Sequence, residues 1–139
     1  MTVVEGERRF AARPERVFAL LTDPDVIAPA IPSVRGHTVV DADHWEARVK
    51  PPFPLAPSIT IAFTVLDRRP PSHAALRAHG GGADVTSTFD LVADGDETLM
   101  RWSTDLRFSG LLSRVAGPGL GGVARRQANR TLDAVERAL

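Results

Sequence analysis

Cysteine is absent from the 139 residues, which excludes a disulfide frame, a thiolate nucleophile and a zinc ribbon, and suits a reducing compartment. Net charge is absent too. The 17 basic and 17 acidic residues cancel, so nothing in the bulk balance draws the chain to nucleic acid. No apolar run approaches the ~20 residues that span a bilayer, and the opening MTVVEGERRF puts acids and arginines where a signal peptide would be apolar. A soluble, cytoplasmic protein is the expectation. Internal repeats and low-complexity linkers are also missing. A chain of this length buries roughly 68–70% of the surface it exposes when unfolded, so one domain over residues 1–139 is expected.

Patterns that carry chemistry are equally scarce. His37, His44, His73 and His79 fall near hairpin ends or on outward phases, and no His-x-x-x-His or Glu-x-x-His pair offers a metal two ligands. There is no Gly-x-Ser-x-Gly elbow and no P-loop. Gly80-Gly81-Gly82 follows a strand without opening a helix, so it lacks the arrangement that cradles phosphate. Asp23 and Asp25 can be read as paired carboxylates, but capping at a helix start accounts for both. No catalytic residue, metal or cofactor is expected.

What is present is an α+β pattern, with helical signals at the two ends and period-two stretches between them. Residues 3 to 11 read as a strand. Pro14 at a first helical position, followed by Val17, Phe18, Leu20 and Leu21, predicts a helix over about 14 to 22. Asp23 before Pro24 starts a second short helix that must stop before Pro32. Residues 34 to 40 and 44 to 50 alternate around Asp41-Ala42-Asp43 as a hairpin, and PPFPLAP then breaks the ladder, since proline has no N–H to donate. SITIAFTVLD places Ile59, Ile61, Phe63 and Val65 on one face. Strands follow over 72 to 79, 84 to 92 and 98 to 108, the last two paired around Asp94-Gly95-Asp96, with a bend or bulge at the three glycines. A helix over about 120 to 138 closes the chain, its inner face drawn from Leu120, Ala124, Gln127, Thr131 and Val135.

The stretch LLTDPDVIAPAIPSV, residues 20 to 34, keeps Val26, Ile27, Ala28, Ala30 and Ile31 among three prolines, which is more apolar surface than a change of direction requires. Within RPERVFALLTDPDVIAPAIPSV, and with WEARVK, the glycine cluster at 80 to 82 and the C-terminal helix, the chain resembles the CoxG-like family of the START-like (SRPBCC) superfamily, a family associated with carbon monoxide dehydrogenase. The resemblance spans nearly all of the sequence. It implies a helix-grip (START/Bet v 1-like) fold: a seven-stranded antiparallel sheet curled around the long C-terminal helix, two short helices after strand 1, and an apolar cavity between sheet and helix. Ile27 and Ile31 would then cap the cavity mouth, or else simply plug a solid core.

The strand and helix phases supply the remaining candidate ligand-binding residues. Thr104, Gln127 and Thr131 are sparse polar points facing Trp45, Phe63, Trp102 and Phe108. Ile61, Leu76, Phe89, Leu120 and Ala124 extend the apolar wall, and Ala47 and Ala78 are small residues on phases that otherwise carry large ones, which leaves room. Near the C-terminus Arg101, Arg107, Arg114, Arg125, Arg126, Arg130 and Arg137 outnumber Asp105, Asp133 and Glu136. Arg114, Arg125, Arg126 and Arg130 bunched on the outer side of the long helix would suit an acidic protein or the anionic inner face of a membrane. The expected function is non-enzymatic binding of an apolar small molecule of quinone, lipid or isoprenoid type. By resemblance the client is a molybdenum hydroxylase of the carbon monoxide dehydrogenase kind. The alternatives are an enzyme of the polyketide cyclase or aromatase type using the same cavity, and an assembly chaperone with a filled interior.

Overall fold

Alternation with a period of two carries the chain through seven antiparallel strands in the computed structural model, which describes residues 2–139. β1 (Thr2–Phe10) turns Val4 and Phe10 inward and leaves Val3 and Glu5 outside. β2 (Val34–Asp41), β3 (His44–Val49), β4 (Ile59–Arg69), β5 (His73–Gly80), β6 (Ala83–Asp94) and β7 (Glu97–Phe108) follow as a meander. β1 then pairs with β7, giving the order β1-β7-β6-β5-β4-β3-β2. One face of the curved sheet is apolar because β1, β3, the second half of β6 and β7 hold to that alternation, whereas the edge strand β2, with two register irregularities against β3, buries none of its residues.

Two short helices bridge β1 and β2. α1 (Pro14–Leu21) starts on Pro14, whose missing N–H would be unpaired there anyway, and buries Val17, Phe18, Leu20 and Leu21. Phe18 meets Phe89 of β6 edge-on, with ring centroids 5.9 Å apart. α2 (Pro24–Ala30) is capped by Asp23, whose Oδ1 accepts from Asp25 N at 3.0 Å, and it ends before Pro32 as the sequence requires. Asp25 departs from its expected capping role: its carboxylate instead accepts from or pairs with His37 Nε2 at 2.9 Å.

Between β7 and the last helix lies an element the periodicity leaves unassigned, α3 (Gly110–Ala116), followed by a 3-10 turn over Gly117–Gly119. Seven residues between glycines are too few to display a helical period. α3 packs Leu112 against Phe53 and Ala56 of the proline-rich segment. Arg114 therefore belongs to α3, which corrects its expected place on the long helix. That helix, α4 (Leu120–Arg137), crosses the apolar face of the sheet and buries Leu132 and Val135. The three glycines form a hairpin turn: Gly80 ends β5, and Gly81 and Gly82 take φ of 58° and 90°, where a side chain is strained. A Cβ on Gly81 would also lie 2.6 Å from Ile59 Cγ2. The α+β helix-grip arrangement is the fold of this chain.

Candidate functional site

The concave face of the sheet and α4 do not meet along their whole length, and a cavity of about 350 Å³ remains between them. β7 supplies one wall through Met100, Trp102, Thr104, Leu106 and Phe108, the inward half of a single strand. Trp102 finds room there because its partner across the ladder is Gly6: a Cβ at Gly6 would fall 2.6 Å from the indole Cζ2. On the same face, toward the other edge of the sheet, Trp45 of β3 and Phe63 of β4, register partners, stack with centroids 3.8 Å apart and planes 5° from parallel. α4 closes the space with Leu120, Val123, Ala124, Gln127, Ala128, Thr131 and Leu132, whose three- and four-residue spacing puts them on one helix face.

Ile27 and Ile31 form an end wall beside Trp45, and Ile61, Leu76, Ala78 and Phe89 complete the sheet side. Every residue expected around the cavity borders it except Ala47. Although Ala47 shares the inward phase of Trp45 and Val49, α2 presses down at that point, so its methyl packs in a cluster with Ala28 and is 2% exposed. It is a core residue, and the room it leaves is taken by α2.

The opposite end has no counterpart in the expectations from sequence. Pro51, Pro52 and Phe53 of the segment over residues 50–58, with Leu112 of α3 and Ile59, form a second wall there. Lys50 holds this segment in place: its backbone N–H donates to Ser33 O at 2.8 Å and its Nζ to Ala56 O. The prolines identify a ladder break and nothing more, because an irregular segment has no period from which an inward side can be read. Val85 and Ser87, by contrast, follow from the phase of Phe89 on β6.

Polar groups in the cavity are few. Ser87 Oγ and Thr104 Oγ1 lie 3.0 Å apart and bond to each other across β6 and β7. Thr131 Oγ1 donates to Gln127 O at 2.9 Å, within α4. Gln127 Oε1 is buried and has no hydrogen-bond partner among the described residues. No aspartate, glutamate, histidine, lysine or arginine among the described residues borders the cavity.

The ionisable side chains lie outside. His44 and His73 pair with Asp41 and Asp90, each at 2.8 Å, and among the described residues no three His, Asp or Glu side chains gather as a metal site would require. Arg77 holds Asp84 through two bonds of 2.9 and 3.0 Å and keeps its carboxyl below the ordinary carboxylate range; the hydrogen bond from His44 does the same for Asp41. Arg125, Arg126 and Arg130 are exposed on the outer side of α4, and Arg125 Nη1 donates to Glu5 O of β1 at 2.8 Å. No helix among the described residues is long and apolar enough to cross a membrane.

A family model described as polyketide cyclase / dehydrase and lipid transport matches residues 1–139. No curated protein matches the sequence. Among solved structures, a conserved protein from Geobacillus kaustophilus is 18% identical, with a TM-score of 0.82 over 96% of this chain and 92% of that one. A START superfamily protein from Mycobacterium smegmatis is 16% identical, with a TM-score of 0.78 over 98% and 95% of the two chains. Truncated norcoclaurine synthase from Thalictrum flavum is 12% identical, with a TM-score of 0.71 over 99% and 92%. At these identities the likeness is one of fold.

Proposed function

The chain belongs to the polyketide cyclase / dehydrase and lipid transport family of the START-like superfamily, and from that premise we propose that it is a non-enzymatic carrier of a hydrophobic small molecule of quinone, lipid or isoprenoid type. The observation that carries this reading is the cavity of about 350 Å³, lined by apolar side chains with a few hydroxyls and one amide. Its size falls within the ~300–1,000 Å³ of small-molecule sites, and its walls have the same character.

The same family description includes cyclases and dehydrases, so catalysis in the same cavity is the competing reading. Directed proton transfer calls for a group whose pKa lies near the working pH, within hydrogen-bond reach of the reacting atom. The cavity offers Ser87, Thr104, Thr131 and Gln127, none of which titrates near neutrality, and this favours binding over turnover. A molybdenum hydroxylase client of the carbon monoxide dehydrogenase kind, and a place at the inner face of the membrane, are narrower proposals. The first is supported by the resemblance of residues 13 to 34 to the CoxG-like family, the second by the arginines on the outer side of α4.

Native mass spectrometry of the protein purified from its own source tests the carrier. The expected result is a retained adduct that partitions into organic solvent. Neither an adduct nor binding of any apolar fluorescent probe would overturn it, and co-purification of an oxidoreductase in that case would support an assembly role with a filled interior.

A further inference from the structure

Ser87 and Thr104 interrupt an otherwise apolar run on the inward phases of β6 and β7. They are register partners, and the next residues along the same phases, Phe89, Trp102 and Leu106, are buried. Ser87 and Thr104 are only half-buried, and both border the cavity. Because alternate residues of a strand share a face, the surface they keep accessible opens on the cavity.

Two hydroxyls carry two protons. The bond of 3.0 Å between Ser87 Oγ and Thr104 Oγ1 uses one of them, whichever group donates, and neither hydroxyl makes another hydrogen bond among the described residues. One O–H is therefore left without an acceptor. It belongs to the hydroxyl that accepts the other's proton, and accepting polarises that group into a stronger donor. A donor without a partner at an apolar wall is costly. Alanine or valine would build the wall without that cost, as Ala83 and Val85 do on the same phase of β6.

We infer that the Ser87–Thr104 pair is the polar anchor of the ligand site, donating a hydrogen bond to a carbonyl oxygen on an otherwise apolar, neutral molecule. This rests on the carrier reading and narrows it. Of the classes considered, it selects an oxidised quinone or a lipid bearing a ketone or ester over an isoprenoid hydrocarbon, which would leave the proton unpaired. A carboxylate is disfavoured, because no cationic side chain among the described residues borders the cavity to offset its charge.

Fluorescence titration with 1-acetylpyrene and 1-ethylpyrene tests the anchor, because the two probes share one frame and differ by a carbonyl. Ser87→Ala and Thr104→Val combined remove both hydroxyls at nearly constant shape, which is close to neutral for stability when both partners of a bond go together. The double variant should bind the ketone about five- to tenfold more weakly than the wild type does, as one net hydrogen bond allows, and should hold or improve affinity for the hydrocarbon. The infrared carbonyl stretch of the bound ketone is a second readout, and it needs no variant. In the wild type it should lie below its position in hexane. A stretch at the hexane position, or a ketone affinity that survives the double substitution, overturns the anchor and leaves the carrier standing. Equal losses for ketone and hydrocarbon would mean that the pair only shapes the wall, and would overturn the anchor as well. Failure of both probes to bind the wild type counts against the carrier reading itself.

Discussion

Two inward-phase alanines on strands either side of β4, Ala47 opposite Ile61 and Ala78 opposite Phe63, have opposite environments, and single substitutions should separate them. Ala78 of β5 borders the cavity, so added methyl groups in Ala78→Leu enter open space and gain contacts that the wall lacks. Its thermal stability should hold or rise while affinity for an apolar probe falls. Ala47 is covered by Ala28, and Ala47→Leu must displace α2, at a cost of about 1–3 kcal/mol. Melting curves and probe titrations on the same two samples check both outcomes; a stable Ala47→Leu or an unstable Ala78→Leu would contradict the placement of the cavity. Sequence does not distinguish the pair, because phase says which side of a strand a residue faces and not what stands opposite. Gly6 makes the same point: it reads as an ordinary interruption of β1, and its use, making room for the Trp102 indole, requires the register between β1 and β7.

At the scale of elements, legibility follows periodicity. α1, α2, α4 and the strands lie close to their expected bounds because proline at a first turn, an aspartate cap and alternating faces are local signals. The elements without a repeat, α3 and the segment over residues 50–58, escape sequence reading, and these build one entire end of the cavity. The charge on α4 is legible as to face and incompletely so as to partners. Arg125 is bonded to a β1 carbonyl, while Asp133 and Glu136 further along the helix are occupied by Arg8 at 2.7 and 3.0 Å. Those pairs remove acidic charge from competition with Arg126 and Arg130. If the outer side of α4 docks on an anionic surface, changing Arg125, Arg126 and Arg130 together to glutamine should weaken adsorption to phosphatidylserine-containing vesicles by ~1 kcal/mol per charge, with the largest difference at low salt. The melting temperature should move little, because exposed arginines contribute little to folding. Unchanged adsorption at low salt would place the docking face elsewhere or remove it.

At the scale of the whole molecule, charge and cavity are segregated: the ionisable groups of the described residues are outside the cavity walls, and everything within is neutral. The consequence for pH dependence can be worked out by sign. Asp41 and Asp84 have depressed pKa values in the fold, so the stability they add is present above the ordinary carboxylate range and is lost only as pH falls through their lowered values. Arg8, Arg9 and Arg77 have raised values, so their contributions fade only in strong alkali. None of these transitions falls between about pH 5 and 9. His37 makes a T-shaped contact with the Trp45 ring, centroids 6.3 Å apart, but it is not among the residues that line the cavity. Affinity for a neutral probe without titratable groups, such as 1-methoxypyrene, should therefore stay within about twofold across about pH 5 to 9, since linkage requires a group whose proton occupancy changes on binding. A dependence of about tenfold or more would mean that an ionisable group contacts the ligand. It would restore the acid–base residue that a cyclase needs, and His37→Phe would be the first variant to show whether that group is His37.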